Sequence, residues 1–362
     1  MITLIIIIGL AVLILAHEFG HFIAAKIFNV KVEEFGIGYP PRIFGKQFGE
    51  TLYSVNWLPL GGFVRIHGED KDEEAEAHGK DETLDSLRSE RSFATQALWK
   101  RAVILIAGVT MNMLVGWLIF SGIFATGIPA HLAIADVSKD SPAYTAGLTA
   151  NDFIVGARLG TVVLNDPIRS EDFIAAMKKA AGSSVSLTIL HEGKEKTLSI
   201  LSRANPPEGE GSLGVALSDV GVEKVPLFSS FGKGFTAAIT LFWLTLKGFF
   251  SLIIGLFSSP GTAMADVAGP VGVFSIATQT GKMGLVYLFQ LIALISINLS
   301  VLNLIPFPAL DGGRVLFLII EKLKGSPVSY KTQRTVNAIG FAALILLMVF
   351  VTIHDVGNIL HK

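Results

Sequence analysis

Cysteine is absent from the 362 residues, which excludes a disulfide framework, a thiolate nucleophile and any cysteine-ligated metal site. Charge is scarce as well: Asp, Glu, Lys and Arg make up only 16% of the chain, against about a quarter in ordinary soluble domains. The formal net charge is −1, and no basic patch with interleaved aromatics occurs, so a strongly nucleic-acid-binding surface is excluded and no nucleic-acid partner is expected. What fills the gap is apolar. With 51% hydrophobic residues and a mean hydropathy of +0.58, the chain reads as a polytopic membrane protein lodged in a lipid bilayer.

Against that background the pentapeptide His17-Glu18-Phe19-Gly20-His21 closes a run, Ile2 to Ala16, broken only by Thr3. No basic region precedes Ile2, and a small-residue cleavage site would fall beside the histidines, so the run is expected to be a retained span rather than a signal peptide. On a helix, residues four apart share a face, and His17 and His21 can each offer a ring nitrogen to one tetrahedral Zn²⁺. Glu18 beside them suits a base acting on a metal-activated water. A chance pentapeptide is the plain alternative, but ionisable groups continuing a hydrophobic helix are costly and usually functional.

In chain order, residues 1–28 are expected to form the first transmembrane helix. Lys26, Lys31, Arg42, Lys46 and Arg65 place the following loop in the cytoplasm and the N-terminus outside. Residues 29–95 then combine strand-like pieces over Phe35 to Ile66 with a charged linker over Glu69 to Arg91. The strand pieces read either as an ordinary packed hairpin or as an edge strand, Gly62-Phe63-Val64, that holds a substrate backbone extended by strand addition. Residues 96–127 form the second span, carrying Gly108 and Asn112; the asparagine either bonds a neighbouring helix or steadies the metal site. Residues 129–205 turn soluble in composition. Residues 206–283 are a linker in which Phe235 to Phe257, interrupted by Lys247, is expected to be an amphipathic or re-entrant helix on the outer side. Residues 284–323 hold a third span broken at Asn303-Leu304-Ile305-Pro306-Phe307-Pro308-Ala309-Leu310-Asp311-Gly312-Gly313. Irregular backbone at membrane depth lines a wet cavity or lies in protein. Asp311 is therefore a candidate third zinc ligand, or else a cap for the helix after it. Lys322, Lys324, Lys331 and Arg334 mark a second cytoplasmic loop, and residues 333–354 return outward, giving four crossings.

The segment Ser141-Pro142-Ala143-Tyr144-Thr145-Ala146-Gly147-Leu148, with Asn151-Asp152-Phe153-Ile154, resembles the signature of bacterial PDZ domains, Asn151 standing where Gly is usual. That resemblance implies a groove for a peptide or periplasmic ligand; a domain that only occludes the membrane site is the alternative. Together with His17 to His21, Gly108-x-x-x-Asn112, Ala268-Gly269-Pro270-Val271-Gly272 and Asn303 to Gly313, the whole chain resembles the site-2 protease family of intramembrane zinc metalloproteases, in its RseP-like bacterial branch. The resemblance implies four transmembrane helices, a membrane-re-entrant β-hairpin over Phe35 to Ile66 and one inserted α+β PDZ domain. It further implies zinc on His17, His21 and Asp311, Glu18 as base, and Asn303 contacting substrate near the scissile bond. The implied activity is cleavage of single-span membrane proteins, such as trimmed anti-sigma factors or signal-peptide remnants, in the bacterial inner membrane. The PDZ domain would be extracytoplasmic and the active site near the cytoplasm. Two departures stand: one PDZ-like segment where well-known relatives carry two, and Val109 where Pro usually follows the glycine. The rivals are a catalytically inactive receptor with a peptide-binding PDZ domain and a transporter using the broken span as an ion site, for which no inverted repeat is visible.

Overall fold

The apolar runs become long helices. The computed structural model describes residues 2–69, 90–150, 152–191, 194–207, 209–258 and 269–360. Most of the charged linker, Asn151, Glu192, Gly193 and Ala268 lie outside them. Helix α1 covers Ile2–Ile27, and at 1.5 Å per residue its 26 residues rise about 39 Å. With α2 (Leu98–Thr126), α5 (Leu227–Ser258), α7 (Leu285–Leu304) and α9 (Tyr330–Leu360) it makes, among the described residues, five helices long and apolar enough to cross a membrane, by length and composition. The chain is a polytopic membrane protein carrying a β-containing domain.

Four crossings were expected, with 235–257, interrupted by Lys247, as an amphipathic or re-entrant helix on the outer side. That stretch lies in α5, one continuous helix that meets the same length and composition criteria as the other four. It touches α2 where the rings of Trp117 and Phe235 meet at 5.7 Å, and α7 where Thr245 Oγ1 donates to Asn298 Oδ1 at 2.7 Å. A single lysine among aromatic and aliphatic residues does not break a helix, because its stem packs as hydrocarbon.

The chain divides into two compact units, residues 1–120 with 234–281 and 287–362, and residues 121–233 with 282–286. In the first, two long strands, β1 (Val32–Phe48) and β2 (Thr51–Ile66), pair antiparallel. Each bends, at Pro40-Pro41 and at Pro59 to Gly61, because proline cannot donate to a ladder and Gly61 takes φ +102. The bends double the hairpin on itself. Residues 32–37 pair on one side with 62–66 and on the other with the 52–55 stretch, which in turn pairs with 44–47. Residues 61–66 thereby become a sheet edge. The turn between the strands is strapped down by Glu50, which accepts from Lys26 Nζ at 2.8 Å and from Arg91 Nη1 at 2.6 Å. Those two cations, Arg91 first, hold the Glu50 carboxyl down at about 2.

Two shorter α-helices of this unit bear on the site. Helix α6 (Pro270–Met283) is capped by Asp355 of α9, whose carboxylate accepts from Gly269 N at 3.2 Å and Gly272 N at 2.7 Å. Helix α8 (Asp311–Lys324) follows the break after α7 and ends on Gly325 at φ +77, with Lys322 and Lys324 in its last turn.

The second unit is a six-stranded sheet in the order β7-β6-β4-β3-β8, with β5 on β4. Its strands are β3 (Ile128–Val137), β4 (Phe153–Leu159), β5 (Val162–Asn165), β6 (Ser184–His191), β7 (Lys194–Leu201) and β8 (Val215–Val222). Helices α3 (Pro142–Thr145) and α4 (Ser170–Lys179) flank it. Alternating residues such as Val185, Leu187 and Ile189 pack with Phe173 and Met177 into its core. The sequence boundary at 205 falls short: β8 pairs with β3 along its length, so the sheet runs on to Val222. Its pattern is polar between weak apolar residues, which is why it reads as linker.

Candidate metal centre

Helix α1 presents His17 and His21 inward, both buried. They meet Asp311, which α8 offers from its first turn, 290 residues further on. His17 Nε2 lies 2.9 Å and His21 Nε2 3.4 Å from Asp311 Oδ2, and the two Nε2 atoms are 3.2 Å apart. Ligand atoms about 2.0–2.1 Å from a tetrahedral zinc are about 3.3 Å from one another. The three donors therefore already have the spacing of one face of such a site, with the fourth position open.

The backbone is cut away to permit this. A side chain on Gly108 would collide with both imidazoles. Side chains on Gly312 and Gly313 would strike the carbonyls of Leu304, Ile305 and Phe307, so the two glycines let α8 begin flush against the broken end of α7. Between them Ala309 takes φ +75, a strained conformation for a residue with a Cβ. Its N–H is held by Asn337 Oδ1 of α9 at 3.2 Å.

The second nitrogens of the imidazoles are also held. His21 Nδ1 donates to the Ile104 carbonyl at 2.8 Å, which leaves its Nε2 lone pair directed at the centre. Asn112 Nδ2 lies 3.3 Å from His17 Nδ1, while the buried Asn112 Oδ1 has no partner. With Nδ2 donating, the His17 proton sits on Nε2 and bonds Asp311. Turning the amide over presents Oδ1 to an Nδ1–H and frees Nε2 for a metal. Helix α7 secures this part of α2 through Ser296 Oγ to the Asn112 carbonyl at 2.7 Å and Ser300 Oγ to the Val109 carbonyl at 2.9 Å.

Glu18 faces a cavity of about 370 Å³ that Phe63, Val64, Asp311 and Arg314 also line. Its Oε2 accepts from Val64 N at 3.1 Å, so the carboxylate is tied to the sheet edge. Gly61 and Gly62 pack that edge on Ile14 and Leu15 of α1. The structure thus brings His17, His21, Asp311, Glu18, Asn112, Phe63 and Val64 together. Gly62 lies in the same strand, paired with Ile37. Asn303 stands apart: it is half-buried in the last turn of α7, with no hydrogen bond to the triad. Sequence reasoning missed Ser296, Ser300 and Asn337. Their one visible signal was polarity inside apolar helices.

Comparison with known proteins identifies the family. The family model described as peptidase family M50 matches residues 5–347. A Clostridium perfringens protein carrying the name of a zinc metalloprotease is 33% identical, with 95% of each chain covered. The zinc metalloprotease RasP of Shouchella clausii is 30% identical over 96% of this chain and 97% of its own. The regulator of sigma-W protease RasP of Bacillus subtilis is 28% identical over 96% of each. A match that spans nearly the entire length and takes in the histidine pair, the doubled hairpin and Asp311 leads to one conclusion: the chain belongs to peptidase family M50, the site-2 proteases.

Proposed function

We propose that the chain is an intramembrane zinc endopeptidase that cuts transmembrane segments of single-span membrane proteins. One observation carries the reading: a three-donor cluster with an open fourth position lies next to a carboxylate hydrogen-bonded to the edge strand of a sheet. His17, His21 and Asp311 would hold zinc, which when bound polarises water and the scissile carbonyl. Asn112 would fix the His17 ring. The edge, Gly62 to Val64, would pair with the substrate backbone, drawing it out of helix so that its carbonyls are accessible. Glu18 would take a proton from the attacking water and deliver it to the leaving amine nitrogen. Asn303 would meet the substrate further along.

Basic residues from Lys26 to Arg65 and from Lys322 to Arg334 support a cytoplasmic position for this end of the bundle, in a bacterial inner membrane. The second unit would then be extracytoplasmic, and we read it as a single PDZ domain. The open edge of β8 beside α4, whose first residue Ser170 donates to Asp219 Oδ2 at 2.6 Å, supports a peptide groove there.

The deciding experiment is cleavage of a single-span substrate by purified protein in detergent. Activity is expected to vanish with chelator and return with zinc. Glu18→Gln is expected to keep stoichiometric zinc while losing about 10²–10⁴-fold in kcat. Zinc-free protein that still cuts, or a fully active Glu18→Gln, would refute the assignment.

A further inference from the structure

Two cavities meet at one ion pair. The metal-lined cavity and a second of about 580 Å³, walled by α2, α8, α9 and the segment after β2, share Glu69, Ala309 and Arg314. At that junction the Arg314 guanidinium is paired with the Glu69 carboxylate. Arg314 follows Asp311 by three residues, so the two share a face of α8, one turn apart. Past the junction the second cavity carries Arg101 and Arg334, opposed by Glu321. Glu321 takes Arg101 Nη1 at 3.1 Å, and the buried Nε of Arg101 has no acceptor. Among the described residues, three arginines and two carboxylates, Glu69 and Glu321, line the second cavity.

Peptide hydrolysis adds water across one amide. The C–N bond breaks, the hydroxyl joins the acyl carbon, and the nitrogen leaves with the proton as an amine. At neutral pH the N-terminal fragment therefore ends in a new carboxylate, formed where the cluster and Glu18 sit. A guanidinium fork matches a carboxylate through two parallel hydrogen bonds. We infer that Arg314 is a product-carboxylate site: it exchanges Glu69 for the new C-terminal carboxylate, and the second cavity is the way out for that fragment. Glu69 keeps the arginine engaged between turnovers. Exchanging one carboxylate for another leaves the pair's charge balanced, so the product is held without being trapped. Arg65 also lines the metal cavity, but it belongs to the hairpin, bonds Glu34 at 3.4 Å and does not line the second cavity. The inference deepens the peptidase reading and rests on it.

The test uses full-length zinc-loaded protein, a single-span substrate, and peptides matching the N-terminal cleavage product with either a free or an amidated C-terminus. In the wild type the free acid is expected to inhibit about tenfold or more better than the amide. Arg314→Gln should erase that preference and slow multiple turnover more than a single turnover. Glu69→Gln breaks the same ion pair but keeps the guanidinium, so it should make the acid a stronger inhibitor. Opposite shifts separate capture from a merely structural clasp, which would move both variants the same way. No acid preference in the wild type, or parallel shifts, would overturn the inference while leaving the peptidase reading intact. Should Arg314→Gln fail to fold, the wild-type comparison and Glu69→Gln still decide. Substrate that stays uncut by zinc-loaded wild type would overturn both.

Discussion

Under the proposed function, Asn112 would serve the centre by presenting either end of one amide. Its Nδ2 faces His17 Nδ1 while Oδ1 is orphaned, and rotation by half a turn converts a proton-sharing His17–Asp311 pair into a metal-ready one. Removing the amide should therefore weaken zinc without removing a ligand. Asn112→Ala is expected to lower zinc affinity about 10–100-fold, measured by competition with a chromogenic chelator, whereas Asp311→Ala should lose bound zinc outright. Equal affinities in wild type and Asn112→Ala would remove the asparagine from the centre. At this scale the sequence is most readable where the chemistry is local. Two histidines one helical turn apart announce themselves, and Asp311 betrays itself by sitting in a proline-broken span. Ser296, Ser300 and Asn337 do not, because each acts on backbone from another helix, and nothing in a serine's sequence neighbours names a partner that far away.

At the scale of elements, the hairpin lines the cavity that Glu18 faces. Val64 contributes an N–H to the carboxylate at 3.1 Å, and its strand is the open edge. Val64→Pro removes that donor and obstructs pairing, so cleavage should be abolished with zinc retained; normal turnover would sink the docking role. The strap at Glu50 gives a pH signature. Its carboxyl is held below the ordinary range, so the stability it lends is full above about pH 4.5 and fades as pH falls toward 2. An exposed ion pair contributes about 0.2–1 kcal/mol. Glu50→Gln should therefore unfold at slightly lower temperature at pH 7 and match wild type near pH 2. A gap that persists in acid would show that the ion pairs are not its cause. Alternation over Thr51 to Trp57 made the strands legible in sequence. The doubling was not, because a bend at Pro40-Pro41 that brings 32–37 between two segments of β2 depends on register, which no local pattern encodes.

For the whole molecule, the apolar composition dictated a membrane protein, and the ordered string of motifs dictated its family. The number of crossings is a separate matter: charge bias in two loops suggested four, while five helices of the described residues, α5 among them, are long and apolar enough to span. That a soluble, strand-containing unit follows the second span was legible, but its extent was not, since β8 looks like linker until β3 is beside it. Deleting residues 128–222 discriminates its roles. If the unit is a gatekeeper, the truncated enzyme should cut full-length substrates that wild type rejects; if a receptor, it should cut none. Unchanged activity and selectivity would exclude both.

The bond from Val64 N to Glu18 has one more use. Nuclear shielding at a backbone nitrogen changes when the group it donates to gains or loses a proton. A single ¹⁵N label at Val64 would therefore act as an internal indicator, following the charge on Glu18 through a titration without replacing either residue.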